Sequence, residues 1–212
     1  MFKILYIINM ITKFKIFENK QLDDIIIDCI NDNTYRPLEL IPDKEHTMKV
    51  ILNNFWNRLD KVNLEELIKL KFPLNVQDND GYNVLMSASI TAALNNKMNI
   101  KIIKLLIDSS VDLNIKNKEG DTALILATIN NHKEIVKLLI VAGADVNLKN
   151  NKGNNALLYA SLNKNIDIAK LLIDAGTNIN IENINKITAL TLAQANFNEE
   201  MIKLLKSKGA KE

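Results

Sequence analysis

Apolar residues along this chain cluster at helical spacing, in short runs separated by polar turns. The clearest stretch is 117–149. Thr122 caps a helix that starts at Ala123 and carries Leu124 and Ala127 inward. Asn130-Asn131 breaks it. A second helix is predicted over Lys133 to Ala142, with Ile135, Val136, Leu138, Leu139 and Ile140 as a wide apolar stripe. Gly143 closes it as a left-handed C-cap, and Ala144 to Lys149 returns extended. Upstream the pattern is less regular. Leu22, Ile25, Ile26, Cys29 and Ile30 predict a helix over Gln21–Ile30. Val50, Ile51, Phe55 and Leu59 predict another over Met48–Leu59. Asn63 is placed to cap a short one over Leu64–Leu70, with Glu65 and Glu66 near its positive end. Pro37 and Pro42 bracket a looped segment between the first two.

The pattern repeats. Gly143, Gly176 and Gly209 are spaced by 33 residues, as are Gly120 and Gly153; Gly81 fills the same place one unit earlier, before a six-residue insertion near Leu94–Asn99. Glycine tolerates positive φ, so a glycine fixed within a repeat marks a turn made the same way each time. Lys104, Lys137, Lys170 and Lys203 recur at the same interval, with a Leu-Leu pair after each. Asn114, Asn147 and Asn180 recur, and so do Ala123, Ala156 and Ala189. Self-similarity at this period predicts a solenoid of stacked units. The insertion is expected to lengthen the first helix of its unit or the bend after it, either as a partner-specific loop or as an inert one.

Two stretches carry a family resemblance. Gly120-Asp121-Thr122-Ala123-Leu124-Ile125-Leu126-Ala127 resembles the ankyrin opening G-x-T-P-L-H-x-A. Glu134 to Asn147 reads EIVKLLIVAGADVN, similar to the ankyrin ending almost letter for letter. The resemblance implies an all-α, ankyrin-repeat α-solenoid of helix-turn-helix units with hairpin-like loops. It divides the chain into an N-terminal extension (1–45), a degenerate capping repeat (46–77) and four repeats (78–116, 117–149, 150–182 and 183–212). The chain departs from the family at the opening tetrapeptide, which reads Asn83-Val84-Leu85-Met86, Thr122-Ala123-Leu124-Ile125, Asn155-Ala156-Leu157-Leu158 and Thr188-Ala189-Leu190-Thr191. Lys186 replaces the last turn glycine and Ser110 the first cap glycine. Lys206 stands where Ile107, Ile140 and Ile173 stand earlier, which suits an exposed terminal face, so the array is expected to end near Glu212.

The resemblance also implies where a partner would bind: the concave face built from hairpins and the inner side of the first helices. Ile90, Ile129 and Leu162 should line that groove, with Thr91, Asn130 and Asn163 beside them. The hairpin tips add Asp80, Tyr82, Lys118, Glu119, Asp121, Lys149, Asn151, Lys152 and Asn154. Met86, Ile125 and Leu158, four residues before the groove positions, are read as filling the space of the absent histidines.

Composition narrows the chemistry. The chain of 212 residues is 47% hydrophobic, enough to bury a core. A net charge of +2, with Arg36 and Arg58 the only arginines, gives no nucleic-acid footprint, and no nucleic acid is expected as partner. Cys29 is the sole cysteine, so neither an internal disulfide nor a cysteine-rich zinc site is open to it. His46 and His132 are the only histidines. The first is read as capping or solvated beside Glu45, the second as structural at the junction before a second helix. No phosphate-cradling glycine loop occurs. Trp56 is read as core. No enzyme activity, cofactor or metal is expected. In the lysine ladder, Glu134, Asp167 and Glu200 each precede a lysine by three residues, the spacing that pairs charges along a helix, so a partly neutralised solvated face is expected.

Phe2–Ile11 is apolar but too short to span a bilayer. It resembles a signal peptide in outline, without a small-residue cleavage site, and a buried strand or helix is the favoured reading. The expectation is therefore a monomeric, cytoplasmic, non-enzymatic interaction module (adaptor, inhibitor or scaffold) without a transmembrane segment. Alternatives are an exported effector acting on a host protein, or an enzyme accessory using the N-terminal extension.

Overall fold

A computed structural model describes residues 43–55, 64–90 and 96–211. Among these residues there are ten helices and no strand. The chain divides into two compact units, 1–73 and 74–212. The predicted helix at Gln21–Ile30, Cys29, Trp56 and the apolar run Phe2–Ile11 lie outside the described residues.

The first unit contributes α1 (Lys44–Phe55) and α2 (Leu64–Lys69). Helix α1 begins four residues before the predicted start, because Asp43 caps it. The Asp43 carboxylate accepts the His46 N–H at 2.8 Å, and its carbonyl accepts from Thr47 Oγ1 at 2.8 Å. His46 therefore sits in the first turn as a recipient of the cap, and the apolar period alone hid this turn. Met48, Ile51 and Leu52 of α1, Leu64 and Leu67 of α2, and Phe72 are buried. Lys44 reaches the Leu70 carbonyl and lies 5.5 Å over the Phe72 ring, its stem covering apolar surface while its charge finds a carbonyl and a π face.

The second unit holds four helix pairs: α3 (Val84–Ile90) with α4 (Asn96–Asp108), α5 (Ala123–Ile129) with α6 (Lys133–Val141), α7 (Ala156–Leu162) with α8 (Ile166–Asp174), and α9 (Ala189–Ala195) with α10 (Glu199–Ser207). The first helices stack in the order α3, α5, α7, α9 and the second helices in the order α4, α6, α8, α10. The first helices pack the more closely of the two rows, because Ala88, Ala127, Ala160 and Ala193 are fully buried on them and carry no bulk to hold neighbours apart. Leu85, Leu124, Leu157 and Leu190 form one buried column through this row. Leu106, Leu139, Leu172 and Leu205 form another through the second row. Each such leucine contributes roughly 1.5–3 kcal/mol of burial.

Every first helix of this unit is capped at the position where the sequence placed Thr122. Asn83, Thr122, Asn155 and Thr188 accept the N–H groups of Met86, Ile125, Leu158 and Thr191 at 2.9, 3.3, 3.1 and 3.1 Å. Met86, Ile125 and Leu158 are fully buried, in line with their reading as space-fillers. Three second helices follow a residue at positive φ: Asn131, Lys164 and Phe197 at 58°, 58° and 53°. Asn165 and Asn198 cap α8 and α10 through their side chains, whereas the His132 ring makes no such bond to α6.

The insertion enters the structure differently from the expectation. Helix α4 has 13 residues where α6 has 9, and it takes in residues 96–99; residues 91–95 lie outside the description. Extending a helix that already exists adds a hydrogen bond for each residue ordered, which suits residues 96–99 joining the second helix of the unit.

The two sets of glycines do different things. Gly143, Gly176 and Gly209 end second helices at φ of 93°, 84° and 94°, and a Cβ there would meet nothing within 4 Å. Ser110 makes the same turn at 58°. Gly81, Gly120 and Gly153 sit in the hairpins at similar φ, but a Cβ there would lie 2.8, 2.7 and 2.9 Å from a backbone nitrogen of the next hairpin. Lys186, at 61° in the fourth hairpin, has no later hairpin stacked on it among the described residues, and so a side chain fits.

Candidate partner-binding face

Each hairpin is built by one side chain. Asp78, Asn117, Asn150 and Asn183 turn their Oδ1 back onto the chain, accepting the N–H of Tyr82, Asp121, Asn154 and Ile187 at 2.8, 2.8, 3.0 and 3.0 Å. This local closure is why Asp and Asn stand where the chain must reverse. The tips then join: Lys118 N donates to Asp80 O at 3.1 Å, Asn151 N to Glu119 O at 2.9 Å, and Ile184 N to Lys152 O at 3.1 Å. A second ladder runs below them. Asn75, Asn114, Asn147 and Asn180 accept the backbone N–H of Asp112, Asp145, Asn178 and Lys211 at 2.9, 2.9, 2.7 and 2.9 Å. The repeated asparagine therefore fixes the register between consecutive units.

The candidate residues fall into three groups. Asp80, Lys118, Glu119, Asn151 and Lys152 are exposed on the tips, with Tyr82 and Asn154 half-buried behind them. Several are already engaged. Lys149 reaches the Glu182 carbonyl at 3.0 Å, Asn151 Nδ2 the Lys118 carbonyl at 2.8 Å, and Asn183 Nδ2 the Asn154 side-chain oxygen at 2.9 Å. The second group lies at the ends of the first helices. Ile90 and Ile129 are half-buried and Leu162 is 49% exposed, whereas the other apolar residues of α5 are all buried. Asn130 is exposed beside Ile129, and Asn163 donates back to the Ile129 carbonyl at 2.9 Å. Thr91 lies outside the described residues.

Asp121 forms the third group alone and is a correction. It is buried, and its carboxylate accepts from Asn150 Nδ2 of the next hairpin at 2.8 Å. Burial raises its pKa, against the Asn150 hydrogen bond, and the nearby Glu119 charge raises it further. It holds two hairpins together and offers no free surface. Burial likewise raises the Tyr82 phenol; a hydrogen bond to Asn117 opposes this, while Glu119, Asp121 and Asp78 add to it. His132 is lowered by burial alone, which favours the neutral ring in its structural junction.

The short ion pairs of the charge ladder run across repeats, in addition to the expected attraction along a helix that Lys170 exerts on Asp167. Lys133 meets Asp167 at 2.8 Å, Lys170 meets Glu200 at 3.8 Å, and Lys208 meets Asp174 at 3.4 Å. The second helices pack side by side, so an acid near the start of one faces a lysine of the helix before it. The Asp167 carboxyl is held below its usual range by its hydrogen bond to Lys133 and by the charges of Lys133 and Lys170.

Two exposed apolar residues outside the helices escaped the sequence reading. Ile184 is 68% exposed on the last tip, and Phe197 is 88% exposed at positive φ before α10. The signal was present in the repeat itself: the equivalent positions hold Lys118 and Asn151 in one case, Asn131 and Lys164 in the other. Tyr159 also went unremarked; its hydroxyl accepts from Asn150 Nδ2 at 2.9 Å. Among the described residues no group of histidine, cysteine and carboxylate side chains is placed to hold a metal, and no helix is long and apolar enough to cross a membrane.

No curated protein matches this chain. The family of ankyrin repeats matches it over residues 89–183, as three copies. That segment spans α4 to α8 with the hairpins between them, and it is similar to ankyrin repeats, which are generic protein–protein interaction modules.

Proposed function

We propose that this chain is a non-enzymatic adaptor, inhibitor or scaffold that holds a partner protein against its hairpin tips and the outer ends of its first helices. One observation carries the reading. Ile90, Ile129 and Leu162 occupy one position in successive units and keep apolar surface in solvent, while the other residues of the same helices, the half-buried Tyr159 apart, are buried. Apolar positions flanked by a polar rim form the usual anatomy of a protein-binding face. The hairpin and asparagine ladders supply the other requirement, a backbone fixed before binding, so that little entropy is lost when a partner docks.

The test is affinity capture on the native chain beside an Ile129→Lys, Leu162→Lys double variant of matched helicity, read by mass spectrometry. The reading expects a partner that the native chain retains and the variant loses. A partner retained equally by both would refute this face as the site.

A further inference from the structure

Helix packing sets the step between the apolar positions of the partner-binding face. Ile90, Ile129 and Leu162 stand at the ends of α3, α5 and α7, and the fully buried Ala88, Ala127 and Ala160 let those helices approach closely. Packed helices lie about 8–10 Å apart, and small side chains at the contact keep the step inside that range. A β-strand returns a side chain to one face about every 6.7 Å, which is too short a step. An α-helix returns one in line only after about seven residues, or about 10.5 Å, and the excess grows with each unit crossed. A polyproline II segment turns once in about three residues of about 3.1 Å each, so every third side chain returns after about 9.3 Å, within the range. Two hydrogen-bond acceptors stand beside these positions. Asn130 Nδ2 donates to the Leu126 carbonyl at 2.8 Å, and Asn163 Nδ2 to the Ile129 carbonyl at 2.9 Å. Each bond holds its amide in place, and among the described residues neither Oδ1 accepts a hydrogen bond.

Those two oxygens choose between the conformations independently of the step. Along an α-helix the backbone N–H groups are already taken by its own carbonyls. A polyproline II backbone makes no internal hydrogen bonds, so its N–H groups are available to a neighbour. Charge narrows the chemistry as well. Helices α3, α5 and α7 contain no charged residue, so a charged side chain lying along them would lose water without gaining a counterion. Resting on the partner-binding reading above, we propose that this face takes an uncharged segment of a partner protein in polyproline II conformation. Every third side chain of the segment is apolar and lies over Ile90, Ile129 and Leu162, and its backbone N–H groups donate to Asn130 Oδ1 and Asn163 Oδ1.

The experiment is selection of a random linear peptide display library on the full chain, followed by backbone substitution in an enriched peptide. The selection is expected to return apolar residues at every third position, uncharged residues between them and proline among those. Replacing one peptide amide at a time by an ester removes a single N–H. Esters at two positions, one for each asparagine, should weaken binding to the native chain about fivefold. One of the two should cost nothing further in an Asn130→Leu variant of matched helicity, whose acceptor is already gone. Apolar residues at helical spacing without proline, or esters that change nothing, overturn the proposal. If peptides of the wrong spacing are still lost from the Ile129→Lys, Leu162→Lys variant, the face stands and only the conformation of its occupant is wrong. If the enriched peptides bind that variant as well as the native chain, both readings fall. An empty selection overturns the proposal and leaves the face to the capture experiment. A native chain that sediments as a dimer, and as a monomer with Ile129→Lys and Leu162→Lys, makes a second copy the occupant and also overturns it.

Discussion

Alanine substitution at Gly120 and at Gly143 separates two costs that a repeat alignment treats as one. Both glycines have positive φ, 80° and 93°. An L-residue there costs about 1–2 kcal/mol from the contact of Cβ with the backbone. At Gly143 that is the whole cost, because a Cβ meets nothing within 4 Å and Ser110 already makes the same turn. At Gly120 the new Cβ would lie 2.7 Å from Asn151 N and 2.5 Å from Asn151 Oδ1. The hairpins must then separate. That endangers the bond from Asn151 N to Glu119 O at 2.9 Å and the bond from Asn151 Nδ2 to Lys118 O at 2.8 Å. Losing one such bond costs about 0.5–1.5 kcal/mol, and forced overpacking adds about 1–3 kcal/mol. Gly120→Ala should therefore cost about 3 kcal/mol or more against about 1–2 kcal/mol for Gly143→Ala. Urea unfolding followed by far-UV circular dichroism measures both, with the slope checked because repeat arrays can lose cooperativity. Equal destabilisation of the two variants would refute the argument that stacking, and not φ alone, fixes the hairpin glycine.

Asp121→Asn should stabilise the fold at neutral pH, since Asn154 fills the equivalent place and receives Asn183 as Asp121 receives Asn150. The sign follows from the raised Asp121 pKa: the native chain gains stability as pH falls and the carboxyl protonates, so the advantage of the variant should shrink toward acid pH in urea titrations at several pH values. Asn147→Ala removes the acceptor of Asn178 N at 2.7 Å and should cost about 1 kcal/mol by chemical denaturation. Ile173→Lys places a charge where the side chain is buried and should cost about 1.5–3 kcal/mol, whereas Lys206→Ile at the exposed equivalent should change stability by less than about 0.5 kcal/mol; a thermal unfolding series checks both.

What the sequence determined by itself is what repeats within a few residues. The apolar period, the capping Thr122 and the turn glycines specify helix pairs and their ends, because helices and caps are closed by contacts three or four residues apart. Helical period and repeat register place Ile129 and Leu162 at one position of successive units, but the expectation that this position meets a partner came from the ankyrin resemblance alone. Asp43 was missed although its signal is equally local, because the apolar pattern begins only after the first turn. Tertiary structure decided whatever closes across a whole repeat. It decided that Asp121 serves the next hairpin instead of the surface, and that Asp167 bonds Lys133 of the previous repeat while also feeling Lys170 of its own helix. It also decided that the recurring asparagine sets register by accepting an N–H about thirty residues on. The two glycine sets look alike in the sequence because both need positive φ. They differ in the fold because only the hairpin set lies against the backbone of the next unit, and a distance between units is fixed by packing, not by local spacing.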